Sequence, residues 1–283
     1  MNKEKNLDFF IECEDHTVSG ERFSLLYDRE YDMLITSPKP DENELGKYYE
    51  SEDYISHTDS KRSLFEKLYH LVKGYSLNKK VKLISKLNGS SGHLLDIGAG
   101  TGDFLCIAKK KGWIVDGVEP NSFATKLAQE KEIYLQPETT TLDSQKFDVI
   151  TMWHVLEHVP DVKNQIQELK RLLKPNGYVI IAVPNFKSYD AKYYKSFWAA
   201  YDVPRHLWHF SKTAIKKLFQ EQGLELEKVL PMKFDSFYVS LLSEKYKNEK
   251  MNFLKAFWLG MRSNYKGRQI GEYSSHIYVL KNS

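Results

Sequence analysis

Leu94-Leu95-Asp96-Ile97-Gly98-Ala99-Gly100-Thr101-Gly102-Asp103 reads as a short apolar strand, a glycine-rich turn and the opening of a helix. Leu94, Leu95 and Ile97 are strand formers. Gly98, Gly100 and Gly102 let the backbone turn tightly and approach a ligand where a Cβ would intrude. Phe104, Leu105, Ile107 and Ala108 then share one face of a helix predicted to run to Lys111. A strand feeding a helix through such a turn is expected to leave backbone N–H groups at the mouth of a parallel sheet, a common nucleotide-type site.

The turn itself discriminates between cofactors. A dinucleotide fingerprint is G-x-G-x-x-G with an acid roughly 20 positions on. Here the third glycine arrives one residue early, and Asp103 stands where that fingerprint wants glycine. The strand also ends in Asp96, whose charge repels pyrophosphate but suits a ligand carrying an amino group and a sulfonium. Trp113-Ile-Val-Asp-Gly-Val118 makes a second strand ending in Glu119, 23 residues after Asp96, close to the spacing of a ribose-binding acid.

Asp96-Ile-Gly-Ala-Gly-Thr-Gly102 followed by Gly117-Val-Glu-Pro120 resembles the class I S-adenosylmethionine (SAM) methyltransferases. The resemblance continues through Phe147-Asp-Val-Ile-Thr-Met152, His154-Val-Leu-Glu-His-Val159 and Leu172-Leu-Lys-Pro-Asn-Gly-Tyr-Val-Ile-Ile-Ala-Val-Pro-Asn185, and is nearest to the ubiquinone-pathway O-methyltransferase-like branch. It is firm over residues 92–222. It implies a doubly wound α/β, mostly parallel seven-stranded Rossmann-like sheet whose last strand is antiparallel. It also implies that Asp96, Gly98, Ala99, Gly100 and Gly102 hold the methionine part of SAM, and that Glu119, with Pro120 beside it, takes the ribose hydroxyls.

The composition bounds what else the chain can be. Its 283 residues allow one large α/β domain with an appendage: 1–90 for the appendage and its helices, 91–283 for the core. A net charge of +3 is too mild to argue for a nucleic-acid partner. Cys13 and Cys106 cannot build a disulfide framework, so a reducing compartment is expected. No run approaches the ~18 apolar residues of a membrane span, and the first residues carry no apolar signal core. The expectation is a cytoplasmic protein without an integral membrane segment, compatible with a homodimer.

Before the core, Phe23-Ser-Leu-Leu-Tyr27 and Met33-Leu-Ile-Thr36 read as short strands. Some similar enzymes carry a zinc module here. Cys13-x-x-His16 matches a first ligand pair, but Tyr27 to Asp32 supplies no second, and no metal is expected. In similar enzymes a Tyr-x-Ser-His segment crosses the SAM pocket, making Tyr54 and His57 candidate cofactor contacts; the alternative is aromatic packing. Two amphipathic helices are predicted next, one carrying Leu64 to Val72 and the other Val81, Ile84 and Leu87. Asn88 to Gly92 links them to the core.

Within the core, Asn121 is placed to cap a helix, Ile133-Tyr-Leu135 is a predicted third strand, and Gln136 to Lys146 is implied to pass the adenine. Strands are expected at Phe147–Met152, Tyr178–Val183, Leu224–Leu230 and His276–Leu280, and a helix capped by Ser211. Residues 231–272 form an insertion too long for a plain loop. Its apolar stretch Phe253–Met261 is able to pack on the core, cover the substrate, meet a second subunit or touch lipid.

Methyl transfer from a sulfonium is an in-line displacement, so orientation matters most, and a hydroxyl acceptor also needs a base, which histidine supplies. Trp153-His154-Val-Leu-Glu157-His158 lies at the carboxyl end of the fourth strand, with His154, Glu157 and His158 spaced for one helical face. Trp153 and His154 are read as cofactor wall. A divalent cation on His154, Glu157 and His158 is a lesser reading, as is the inverted zinc-peptidase signature His-x-x-Glu-His. Tyr201-Asp202-Val-Pro-Arg205-His206-Leu-Trp-His209-Phe210 offers His206 as base, Asp202 to orient it, Arg205 as an anion clamp and His209 as a helix cap, with His158 as a further catalytic candidate. The plain alternative is a rigid connector in which Arg205 and Asp202 pair with each other. The reading is a SAM-dependent methyltransferase of a small-molecule acceptor, at oxygen because histidines are at hand. Its rivals are a non-catalytic SAM-binding regulator or assembly protein, an NAD-dependent oxidoreductase and a nucleic-acid methyltransferase.

Overall fold

A computed structural model describes residues 7–49 and 64–282, so Tyr54 and His57 lie outside the described residues. The central sheet has six strands in the order β5-β4-β6-β7-β10-β9: β4 (His93–Ile97), β5 (Ile114–Val118), β6 (Phe147–Trp153), β7 (Leu173–Pro184), β9 (Leu224–Pro231) and β10 (Ser275–Asn282). The first four run parallel, and β10 lies antiparallel between β7 and β9. Side-chain alternation divides this sheet between two cores. Leu94, Val149 and Ile180 face one, while Leu95, Ile150, Val179 and Ile181 face the other.

The expected seventh strand is not formed. Ile133–Leu135 stays irregular, and only Gln136 makes a parallel bridge, to Val118. Glu132 takes a left-handed φ of 58° immediately before it, which breaks an extended run. The paired helices predicted before the core are also corrected: the structure has one continuous helix, α1 (Leu64–Asn88). Gly74 and the polar residues around it are tolerated inside that helix, because Val81 and Ile84 dock onto the sheet.

α2 (Asp103–Lys110) and α3 (Ser122–Gln129) follow β4 and β5, and Asn121 Oδ1 caps α3 as expected by accepting from the amides of Phe123 and Ala124. α4 (Val162–Leu172) runs straight into β7, which therefore starts five residues earlier than Tyr178. α5 (Tyr189–Tyr194) and α6 (Lys212–Gln220) follow, the latter capped by Ser211. The insertion is a helical pair, α7 (Asp235–Asn248) and α8 (Phe253–Ile270).

The N-terminal strands β1 (Leu7–Glu14), β2 (Arg22–Asp28) and β3 (Met33–Ser37) form an antiparallel sheet, and a short helical turn follows at Glu42–Leu45. This sheet is completed from the core by β8 (Trp208–His209), which pairs with Leu34 and Ile35. Cys13, Phe23, Leu25 and Leu34 bury themselves against Trp198, Tyr201, Val239 and Leu259. The appendage is thus stitched to the residues that follow β7 and to the insertion. Cys13 is a buried free thiol, and His16 stacks on Phe197 and Tyr246. No helix among the described residues is long and apolar enough to cross a membrane.

Candidate functional site

The carboxyl ends of β4, β5 and β6 assemble the first half of the site. Asp96 closes β4 beneath the glycine turn and is 2% exposed. β6 runs parallel beside it and brings Thr151 opposite, where the hydroxyl donates to Asp96 Oδ1 at 2.6 Å. Burial pushes the Asp96 carboxyl up; Thr151 and the Lys80 ammonium oppose this, and the Glu119 charge adds to it. Asp96 and Glu119 therefore act on one region rather than on separate surfaces. Lys80, on α1, is pulled down by desolvation against the attraction of Asp96 and Asp235. Its Nζ stands 4.1 Å above the Trp153 ring. A lysine already lies where the strand tips favour positive charge.

The glycine turn is tighter than its sequence implies. Gly98, Gly100 and Gly102 all have positive φ. A Cβ on Gly98 would lie 2.4 Å from Val155 Cγ2, whereas one on Gly100 would meet open space. Four of the turn's N–H groups are taken up inside it. The amides of Gly98 and Ala99 donate to the Val118 carbonyl, that of Gly102 to Ala99, and that of Gly100 to Glu119 Oε2 at 2.8 Å. Glu119 Oε1 accepts from the Asn121 amide at 2.9 Å, and Pro120 between them is exposed. These four donors are spent inside the turn, and Asp96 and Glu119 set a negative surrounding beside it.

β6 ends at Trp153, and His154 follows in a left-handed conformation, φ 59°. Its Nε2 sits 3.0 Å from Asp235 Oδ2 and its Nδ1 3.4 Å from Glu157 Oε1. Desolvation acts to lower the imidazole, but Asp235 and then Glu157 push it up to about 10, so it is a cation at neutral pH. Asp235 opens α7; the insertion therefore reaches the site by an ion pair. Sequence reading missed Asp235 and Lys80, since neither sits in a motif.

The second half gathers on the connection after β7. Thr36 Oγ1 donates to the His206 carbonyl at 2.6 Å, and the Leu207 amide donates to the Glu157 carbonyl at 2.8 Å, fixing the loop between β3 and the end of β6. His206 Nδ1 lies 3.0 Å from the Ala200 carbonyl. A carbonyl only accepts, so the proton is on Nδ1 and the lone pair on Nε2. Ala200, not Asp202, is what orients this ring. Asp202 Oδ2 is 3.8 Å from Nε2, an ion-pair distance rather than a hydrogen bond.

His158 packs edge-on against His206, with ring centroids 4.6 Å apart. Its Nδ1 is 3.0 Å from the Arg205 carbonyl and 3.1 Å from the Tyr49 hydroxyl. Burial, followed by repulsion from His206, brings His158 down to about 4 and leaves it neutral. Glu157 is buried; desolvation raises its carboxyl, but the hydrogen bond and charge of His154, with His206, outweigh this and hold it low. Glu157, His158 and His206 each offer a donor atom, all within 4.8 Å of one another. His154 is not part of that group.

Two expectations are corrected here. Arg205 is no clamp for a substrate. It is 4% exposed, and its guanidinium donates to Asp202 Oδ1, Asp15 Oδ1 and the Tyr48 carbonyl, pinning the appendage to the core. His209 caps no helix: its Nε2 lies 3.2 Å from Thr36 Oγ1 inside β8, and Ser211 provides the cap.

Comparison with known proteins follows this geometry. A family model described as a methyltransferase domain matches residues 66–229. A ubiquinone biosynthesis O-methyltransferase of Coxiella burnetii is 30% identical over 169 residues, 56% of this chain and 69% of that protein. One from Actinobacillus pleuropneumoniae is 36% identical over 115 residues, 35% of this chain and 49% of that protein. Among solved structures, one described as a putative sarcosine dimethylglycine methyltransferase from Galdieria sulphuraria superposes with a TM-score of 0.52 at 17% identity, covering 75% of this chain and 86% of that one. A geranyl diphosphate C-methyltransferase from Streptomyces coelicolor gives 0.53 at 15% identity, covering 73% and 76%.

Proposed function

We propose that this chain, which belongs to the methyltransferase-domain family and is a SAM-dependent methyltransferase, methylates an oxygen of a small-molecule acceptor with His206 as the base. The residues present fit the cofactor. A buried acid at the tip of β4 and a second at the tip of β5, beside a glycine turn, favour a cationic adenosyl ligand over a dinucleotide. Asp96, Gly98, Ala99, Gly100, Gly102, Trp153 and His154 would line it, and Glu119 would exchange the amides of Gly100 and Asn121 for ribose hydroxyls. When bound, SAM supplies an electrophilic methyl group on a sulfonium.

The observation that carries the base assignment is the fixed tautomer of His206: Nδ1 is committed to the Ala200 carbonyl, leaving the Nε2 lone pair to take a hydroxyl proton. Asp202, held ionised chiefly by Arg205 and His206 against its own burial, then stabilises the imidazolium. Neutral His158 beside it adds no competing positive charge. The O-methyltransferase names of the relatives support oxygen as the atom methylated.

The test is incubation of the full chain with methyl-labelled SAM and a pool of hydroxylated metabolites, followed by fragmentation of the labelled product. Label on oxygen supports the reading; label confined to carbon or nitrogen refutes it. Binding of SAM with no label on any compound would favour the regulatory alternative.

A further inference from the structure

The insertion leaves an apolar surface that its own packing does not use. α8 buries Leu259 together with Ala256, Gly260, Ser263 and Gly267, four residues small enough for close approach to α7 and α5. At about 100° per residue these five share one side of the helix. Leu254, Phe257, Trp258, Met261 and Tyr265 fall on the diametrically opposite side, with Leu254 79% and Trp258 68% exposed. Apart from Phe257, whose ring also rests on Phe237, this exposed aromatic-rich stripe lies away from the face through which α8 packs.

Charge identifies the occupant. Lys250 to Gly271 contains no acidic residue and carries Lys255, Arg262, Lys266 and Arg268 besides Lys250. Lys255 pairs with Glu244, but among the described residues Arg262, Lys266 and Arg268 meet no carboxylate within ion-pair distance. At about 100° per residue Arg262, which also stands over the Tyr189 ring, borders the stripe on the Trp258 side, Arg268 falls on its other side beside Phe257 and Met261, and Lys266 lies nearer the buried face. A second copy docking on the same face would bring these cations against their equivalents. An anionic bilayer accepts both features: the stripe enters the headgroup–acyl boundary, and the cations meet lipid phosphates.

We propose that the Leu254–Tyr265 stripe docks the protein on an anionic phospholipid surface, with α8 lying in the plane of the interface. The same hairpin reaches the site: Phe257 packs on Phe237 with ring centroids 5.5 Å apart, and Asp235, two residues before Phe237, pairs with His154. Docking thus brings the mouth of the site to the lipid surface.

The experiment is flotation of the full chain with phosphatidylcholine vesicles, with and without about 30% phosphatidylglycerol, at low salt. Trp258 is by far the most exposed tryptophan, so its emission shifts to the blue when the stripe enters lipid. Flotation is expected to rise at least about tenfold with phosphatidylglycerol and to fall as much in Leu254→Asp/Trp258→Asp at an unchanged melting temperature. Arg262→Gln/Lys266→Gln/Arg268→Gln should remove the preference for anionic lipid, while Trp258→Phe keeps flotation and loses the blue shift. Absence of flotation by the unmodified chain overturns the proposal, as does flotation that survives the double aspartate. A dimer in sedimentation that the double aspartate dissociates, without flotation, makes the stripe a self-interface instead.

Discussion

His154 Nε2 lies 3.0 Å from Asp235 Oδ2, joining the carboxyl end of β6 to the first turn of α7. The pair makes a wall of the site from an insertion for which the sequence left core packing, substrate cover, a second subunit and lipid all open. The imidazole is raised from 6.5 to about 10, so the stability it brings is complete below pH 6.5 and is lost as pH climbs through about 10. Asp235→Asn should therefore lower the melting temperature near neutrality and lose its effect above about pH 10. Melts of both proteins across that range check this; a deficit that does not change with pH would remove the ion pair from the account.

His206→Gln should reduce kcat by about 100- to 10,000-fold, the usual worth of a positioned base. SAM affinity, measured by calorimetry, should stay within about threefold, because the glycine turn and its acids are untouched. Adding a chelator to the unmodified enzyme distinguishes the base from metal chemistry at Glu157, His158 and His206. Unchanged turnover is expected, and loss restored by a divalent cation would reassign the cluster.

Gly98→Ala places a methyl 2.4 Å from Val155 Cγ2 on a backbone at φ +71°. Both effects disfavour it, and a loss of about 2–4 kcal/mol is expected together with weaker SAM binding. Gly100→Ala has open space, so only the backbone cost of about 1–2 kcal/mol remains. Chemical denaturation of the two variants should rank them in that order. Val155→Ala should recover part of the loss at Gly98 and none at Gly100.

Arg205→Leu leaves Asp15 buried without its cation and should cost about 3–5 kcal/mol. Because the lost contacts join the appendage to the loop carrying His206, protection of β1 and β2 amides from hydrogen exchange should fall with it. A variant as stable as the parent that had merely lost substrate affinity would restore Arg205 as a clamp.

The sequence by itself determined the nucleotide-type half of the molecule. Asp96, the glycine trio and Glu119 lie on consecutive strand–turn units, where spacing along the chain fixes spacing in space. Capping by Asn121 and Ser211 was legible for the same local reason. Only the tertiary structure decided the rest. Ile133–Leu135 has the composition of a strand, but the left-handed Glu132 leaves it a single rung at the sheet edge. Arg205 and His206 are neighbours in a polar motif, yet one is spent on Asp15, 190 residues away in the chain, and the other stands over His158. Lys80 and Asp235 carry no motif and enter the site only because α1 and α7 pack there. Pairing across such distances depends on which surfaces fold against each other, and local residue pattern does not encode that.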